Sequence, residues 1–167
     1  YFTVPLKKAS QNKKISDIDI SPIYGEWEKK FIKTLHQVYG KAPNFNNVND
    51  LLKDFFTSDH LTISTLAAQS VISVSEFLNI ETEFLYSSSL KCKGSGEDKI
   101  INICKHLGAK EYINAPGGKH LYDKGWFSEQ GVELSFLKSN IPEPSYSIIH
   151  DLVNNNAFEG LEDFVIE

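Results

Sequence analysis

Asp98-Lys-Ile-Ile-Asn-Ile-Cys-Lys-His-Leu107-Gly108 is followed, after Ala109 and Lys110, by Glu111-Tyr-Ile-Asn-Ala115-Pro-Gly-Gly-Lys119, and then by Val132-Glu-Leu-Ser-Phe-Leu137. The first stretch repeats its apolar residues at three and four and stops at a glycine, the signature of a helix with its C-cap. The second and third are short β-rich runs bounded by turn residues, which predicts strands. A short helix over about Leu121 to Gln130 separates them, and Thr82 to Tyr86 reads as an earlier strand. Strand, helix, strand, helix, strand with short connections predicts a parallel sheet. Right-handed crossovers then bring the loops after residues 86, 114 and 137 to one sheet edge, where such folds bind ligands. The expected fold class is α/β: a mostly parallel sheet with flanking helices in a Rossmann-like three-layer arrangement.

Upstream lies a helical insertion between about residues 26 and 79. Trp27, Phe31, Ile32, Leu35, Val38 and Tyr39 form one helical stripe that Gly40 and Pro43 close. Asn47 or Asn49 is the expected cap of a second helix carrying Val48, Leu51, Leu52, Phe55 and Phe56. A third, from about Leu61 to Leu78, is apolar over a wide arc and is expected to lie centrally. Before these helices, Tyr1 to Leu6 reads as an edge strand because Pro5 cannot donate a ladder bond. Ile18 and Ile20 alternate with Asp17 and Asp19 as a second, half-exposed strand. The tail from Ser147 to Val165 is expected to be mostly helical, with Glu159, Glu162 and Asp163 on it and Glu167 just beyond. With no linker or repeat, a single domain over 1–167 is expected.

Composition narrows the function classes. The 167 residues hold 17 basic and 22 acidic side chains, a net charge of −5. All the basic residues are Lys, so no guanidinium fork is available for phosphate or guanine. Nucleic acid is therefore excluded as an expected partner. Lys7, Lys8, Lys13 and Lys14 read as a solvated strand and turn. No apolar run reaches the roughly 20 residues of a membrane span, and a cytoplasmic location is expected. With no Met in the sequence, the chain as written does not open at its own start codon, which implies processing or truncation. Cys92 and Cys104 have no CxxC spacing, which fits free thiols in a reducing compartment. Cys104 falls on an apolar helix face. Cys92 sits between lysines, and a redox role there is the minor alternative.

Three constellations could carry chemistry. In Tyr112-Ile-Asn-Ala-Pro-Gly-Gly-Lys-His-Leu-Tyr122-Asp123, a strand feeds a glycine pair and a helix is expected to follow. Gly117 and Gly118 would expose backbone N–H groups to an anion beside Lys119, with Asn114 and Tyr122 orienting the substrate. The alternative is a tight turn in which glycine answers a steric need. It is no Walker loop, because Ile113 and His120 stand where that motif needs Gly and Ser or Thr. No GxGxxG occurs. The second constellation is Ser87 to Asp98, where Ser88 and Lys93 are candidate anion or sugar ligands and Asp98 is the alternative helix cap. A flexible surface loop is the plainer reading. The third is His150-Asp151. Helix neighbours point about 100° apart, so either is a candidate general acid or base but the two are not expected to pair. His36, His60, His106 and His120 have no metal-ligand spacing, and no metal site is expected; any cofactor is left unassigned.

These stretches resemble the WbqC-like proteins of bacterial surface-polysaccharide and O-antigen gene clusters. The resemblance rests on Thr3-Val-Pro-Leu-Lys-Lys-Ala-Ser10, Ile32-Lys-Thr-Leu with Tyr39, Ala42-Pro-Asn-Phe45, and Ile103-Cys-Lys-His-Leu-Gly-Ala109. It continues in Tyr112 to Lys119 with Tyr122, Gly131-Val-Glu-Leu-Ser-Phe136, and Ser147-Ile-Ile-His-Asp-Leu. The family's usual N-terminal His/Met-Gln-Pro-aromatic segment and its Tyr-x-Gln stretch before Ser-Ile-Ile have no counterpart here. The resemblance thus implies a missing N-terminal portion, with polar groups of the site lying outside this sequence. It also implies a role in making modified sugars: a transferase of acyl or aminoacyl type acting on a small molecule such as a nucleotide-sugar. The alternative is a non-catalytic binding or assembly module of such a pathway, including a homo-oligomer.

Overall fold

A computed structural model describes residues 2–57, 61–139, 146–155 and 164–166. They gather into two compact units, one drawn from 1–83 and 146–157 and the other from 84–145 and 158–167.

The first unit is helical. Helix α1 spans Tyr24–Tyr39 and buries Phe31 and Leu35. Helix α2, Phe45–Thr57, begins two residues before the expected Asn47 cap. Asn44 supplies the start instead: its carbonyl accepts from the Val48 amide at 3.3 Å and its Oδ1 from Asn47 Nδ2 at 2.6 Å. Asn49, also an expected cap, is a buried helix residue. Helix α3, Ile63–Phe77, opens on a reciprocal capping box between Thr62 and Thr65. Its expected central position is not what forms. Leu66 is its buried residue, and Val71 is 56% exposed. Helix α6, Ile148–Asn154, carries Leu152 and Val153 into a core with Phe31, Leu35, Phe45 and Val48. Asn44 binds it there, its amide to the Val153 carbonyl at 2.9 Å and its Nδ2 to the Leu152 carbonyl at 3.0 Å. The Leu152 carbonyl also accepts from the Asn155 amide at 3.4 Å, so the helix's own cap and the loop before α2 together complete its end.

The two expected N-terminal strands reduce to isolated bridges, Leu6 with Ile20 and Asp19 with Thr62, around a 3-10 turn at Ile15–Asp17. Short alternating runs without a sheet partner cannot grow further.

The first unit also holds an orphan polar atom. The Tyr24 hydroxyl is buried without a hydrogen-bond partner among the described residues. Burial, helped by the Glu28 charge, pushes its pKa up to about 12. A raised folded pKa gives stability that is whole below the ordinary tyrosine value and lost as pH climbs toward 12. An unpaired buried hydroxyl costs about 1–3 kcal/mol. Tyr24→Phe is therefore expected to raise unfolding stability by about 1 kcal/mol in urea titrations at neutral pH. It should also flatten the loss between about pH 10 and 12.

The second unit is α/β. Helix α4, Gly96–Leu107, buries Ile101 and Cys104 and ends at Gly108, whose φ of 69° lies in the left-handed region. Burial pushes the Cys104 thiol pKa up. Strand β1, Glu111–Asn114, runs parallel to β2, Glu133–Ser139, with Glu111 beside Glu133 and Asn114 beside Phe136. Helix α5, Lys124–Glu129, lies in the crossover that parallel pairing demands. Strand β3, Phe164–Ile166, adds antiparallel to β2, with Leu137 beside Ile166. Of the tail expected to be mostly helical, Ile148–Asn154 is helix and Phe164–Ile166 is strand, and 156–163 lie outside the described residues. Glu159, Glu162, Asp163 and Glu167 lie outside the described residues, as does His60. Thr82 to Tyr86 forms no strand and is exposed throughout. Among the described residues the expected parallel set is one parallel pair with an antiparallel neighbour, a helix-rich α/β arrangement.

Candidate functional site

The glycine turn follows directly from β1. Asn114 ends the strand, and its Oδ1 accepts from the Ala115 amide at 2.8 Å. Pro116–Gly118 then form one 3-10 turn. The Gly118 amide donates to the Ala115 carbonyl at 3.0 Å and the Lys119 amide to the Pro116 carbonyl at 3.2 Å. Of the two glycine amides expected to face an anion, that of Gly118 is thus spent inside the turn. The helix expected directly after the glycine pair starts at Lys124, where Asp123 Oδ1 caps it by accepting from the Trp126 amide at 2.7 Å. No helix end therefore stands behind the glycines.

What the turn does need is Gly118. A Cβ there would meet Asn114 Nδ2 at 2.5 Å and Tyr122 Cε2 at 3.2 Å, whereas one on Gly117 meets nothing within 4 Å. Gly118→Ala is expected to cost about 1–3 kcal/mol through overpacking. Gly117→Ala should stay within about 0.5 kcal/mol. Paired denaturant melts check the contrast.

Gly118 lets Asn114 and Tyr122 close together, and beyond them lies a small concavity. Lys119, Tyr122, Lys124 and Phe136 line a cavity of about 290 Å³. Tyr122 is held by its edge against Tyr112 and Phe127, with centroids 6.4 and 6.1 Å away. Lys124 Nζ stands 5.7 Å from the Phe136 ring centroid. The Tyr112 hydroxyl has its pKa raised, by burial first and then by Tyr122 and Cys104. Two ammonium groups and two rings on one concave surface can hold an anion and a ring face together. Sequence reading selected Asn114, Gly118, Lys119 and Tyr122 but missed Lys124 and Phe136. Phe136 comes beside Asn114 through the parallel register, which no local residue pattern announces.

Ser88 and Lys93 do not line that cavity. Both are exposed in a loop that follows no strand. The Lys93 carbonyl accepts from Asn102 Nδ2 at 3.2 Å, which fastens the loop to α4. Cys92 is half-buried, its Sγ 3.8 Å from the Asn102 carbonyl oxygen. Asp98 lies in the first turn of α4 rather than at its cap and accepts from Trp126 Nε1 at 3.1 Å.

His150 and Asp151 belong to the first unit, in α6. The partner of His150 is Tyr39, whose hydroxyl lies 3.2 Å from Nδ1. The Tyr146 ring packs 4.8 Å away, centroid to centroid. Imidazole and phenol at this distance can hold and pass a proton. Sequence reading missed Tyr39 in this role because 111 positions separate the pair. Asp151 is half-buried in the same helix. Among the described residues no three His, Cys, Asp or Glu side chains stand where they could hold a metal ion, and no helix is long and apolar enough to cross a membrane.

A family model described as "WbqC-like protein family" matches residues 1–156. A protein of Mycobacterium tuberculosis described as "Uncharacterized protein Rv1507c" is 22% identical over 139 residues, which is 82% of this chain and 59% of the relative. The chain thus spans less than two thirds of the curated relative it matches. No solved structure matches it. With the family model covering nearly the whole of it, the chain belongs to the WbqC-like protein family.

Proposed function

We propose that the chain is a transferase of acyl or aminoacyl type in nucleotide-sugar or O-antigen biosynthesis, working in the cytoplasm. The observation that carries this reading is the cavity lined by Lys119, Tyr122, Lys124 and Phe136. In a protein without Arg, lysine ammonium groups are the means of holding a diphosphate, as point charges rather than forks. Tyr122 and Phe136 offer ring surfaces to a base or sugar, and Asn114 offers an amide to orient it. His150, backed by Tyr39, is the proposed proton carrier, with Asp151 beside it in sequence.

Thermal-shift assays against a panel of nucleotide-sugars and acyl donors test the reading. A ligand at 100 times its Kd adds about 2.7 kcal/mol of stability. At least one nucleotide-sugar is expected to shift the melt, and the shift should shrink in high salt.

The second reading, a non-catalytic binding or assembly module, is favoured by the large apolar side chains left exposed on the first unit, among them Val38 and Val71 at 63% and 56%. A mass that rises with concentration in light scattering, with no ligand-induced shift, would favour it over the transferase.

A further inference from the structure

The first unit contains a second concavity unlike the lysine-lined one. It encloses about 580 Å³, within the range of about 300–1,000 Å³ that small-molecule sites occupy. Its wall is almost wholly apolar and drawn from α1, α2, α3 and α6, with Trp27, Phe31, Phe56, Leu66 and Val74 among its members. Trp27 is fixed in it by stacking on Tyr24 at 5.4 Å and on Phe31 at 5.2 Å. Tyr24 lines the same cavity, and its hydroxyl is buried without a hydrogen-bond partner among the described residues. Of the serines on its wall, Ser70 differs, its Oγ donating to the Ala67 carbonyl at 2.8 Å.

A native protein rarely leaves a buried donor unpaired. An apolar wall with a buried, unpaired phenol suits a ligand with an apolar body and an acceptor oxygen. We propose that this cavity binds an aliphatic acyl group, its chain against Trp27, Phe31 and Leu66 and its carbonyl or carboxyl oxygen accepting a hydrogen bond from the Tyr24 hydroxyl. The high pKa of that phenol keeps it a donor across the physiological range. The site lies apart in kind from the nucleotide-sugar reading and does not rest on it.

The two tryptophans of the chain make a direct test possible, because Trp27 lines the cavity and Trp126 belongs to the other unit. In a Trp126→Phe chain all indole fluorescence comes from Trp27. Titration with 12-bromododecanoic acid, whose bromine quenches indole on contact, should give saturable quenching. Dodecanoate should reverse it, while dodecyltrimethylammonium, which has the chain without an acceptor, should not. Adding Tyr24→Phe should weaken binding about tenfold while leaving the chain folded. Ala67→Phe, at an exposed position on the cavity's lining, should abolish quenching. The proposal is overturned by absent or unsaturable quenching, by equal displacement with the cationic amphiphile, or by unchanged affinity in Tyr24→Phe. It is equally overturned if quenching vanishes as protein concentration rises and the mass doubles, for then a second copy covers the cavity.

Discussion

Phe127→Ala is expected to cost the second unit about 3–5 kcal/mol, the range for truncating a fully buried aromatic. Phe127 has no exposed surface, and it stacks on Tyr112 at 5.9 Å and 12° while Tyr122 meets it edge-on. Its carbonyl also accepts from the Val132 amide at 3.1 Å, tying α5 to the start of β2. Whole domains are stable by about 5–15 kcal/mol, so this loss alone brings the unit close to unfolding. Trp126, one residue away in α5, reports it by fluorescence, while Trp27 reports the first unit. The early transition should appear in the Trp126 signal. Phe127→Leu, which keeps most of the volume, should cost about 1.5 kcal/mol. Because Tyr122 leans on Phe127, Phe127→Ala should also loosen the lysine-lined cavity and weaken any nucleotide-sugar bound there.

Leu152→Ala is the second large effect, at about 2–5 kcal/mol. Leu152 is 2% exposed and packs with Phe31, Phe45 and Val48, so its truncation removes contact between a short helix and the rest of the first unit. Seven residues make α6, too few to persist without that packing. The backbone bonds from Asn44 to Leu152 and Val153 would then hold a frayed segment, and His150 would lose its place against Tyr39. Urea titration followed at Trp27 should move to a lower midpoint. Any pH-dependent activity traced to His150 should fall in kcat more than the stability loss alone explains. Ile149→Ala, at a half-buried neighbour in the same helix, should cost less.

The helices were legible because each carries its own code. The stripe Trp27, Phe31, Leu35 has a 3.6-residue period, Thr62 caps α3 and Gly108 ends α4, and none of these depends on distant residues. Strands β1 and β2 were legible for a similar reason, being short β-rich runs set off by glycine turns. Where the reading departed, a partner decided. Thr82 to Tyr86 has strand propensity but no strand beside it, and propensity without pairing is weak. Phe164–Ile166 became a strand because β2 had an open edge to receive it, which its own residues do not announce. Gly117 and Gly118 suggested free amides, but a hydrogen bond inside the turn consumed that of Gly118. The Tyr39–His150 pair and the meeting of Lys124 with Phe136 are tertiary facts. Residue types at a spacing could mark candidates there but could not join them.

The central claim is that lysines on the second unit hold an anionic sugar nucleotide. Isothermal titration of the nucleotide-sugar that gives the largest thermal shift, into the parent chain and into Lys119→Ala and Lys124→Ala, tests it most directly. A hydrogen bond to a charged group is worth about 1.5–3 kcal/mol, so each variant should bind roughly 10- to 100-fold more weakly at low salt. Gly117→Ala, which meets no neighbour, should bind like the parent. Unchanged affinity in both lysine variants, for every nucleotide-sugar that binds the parent, would contradict the account.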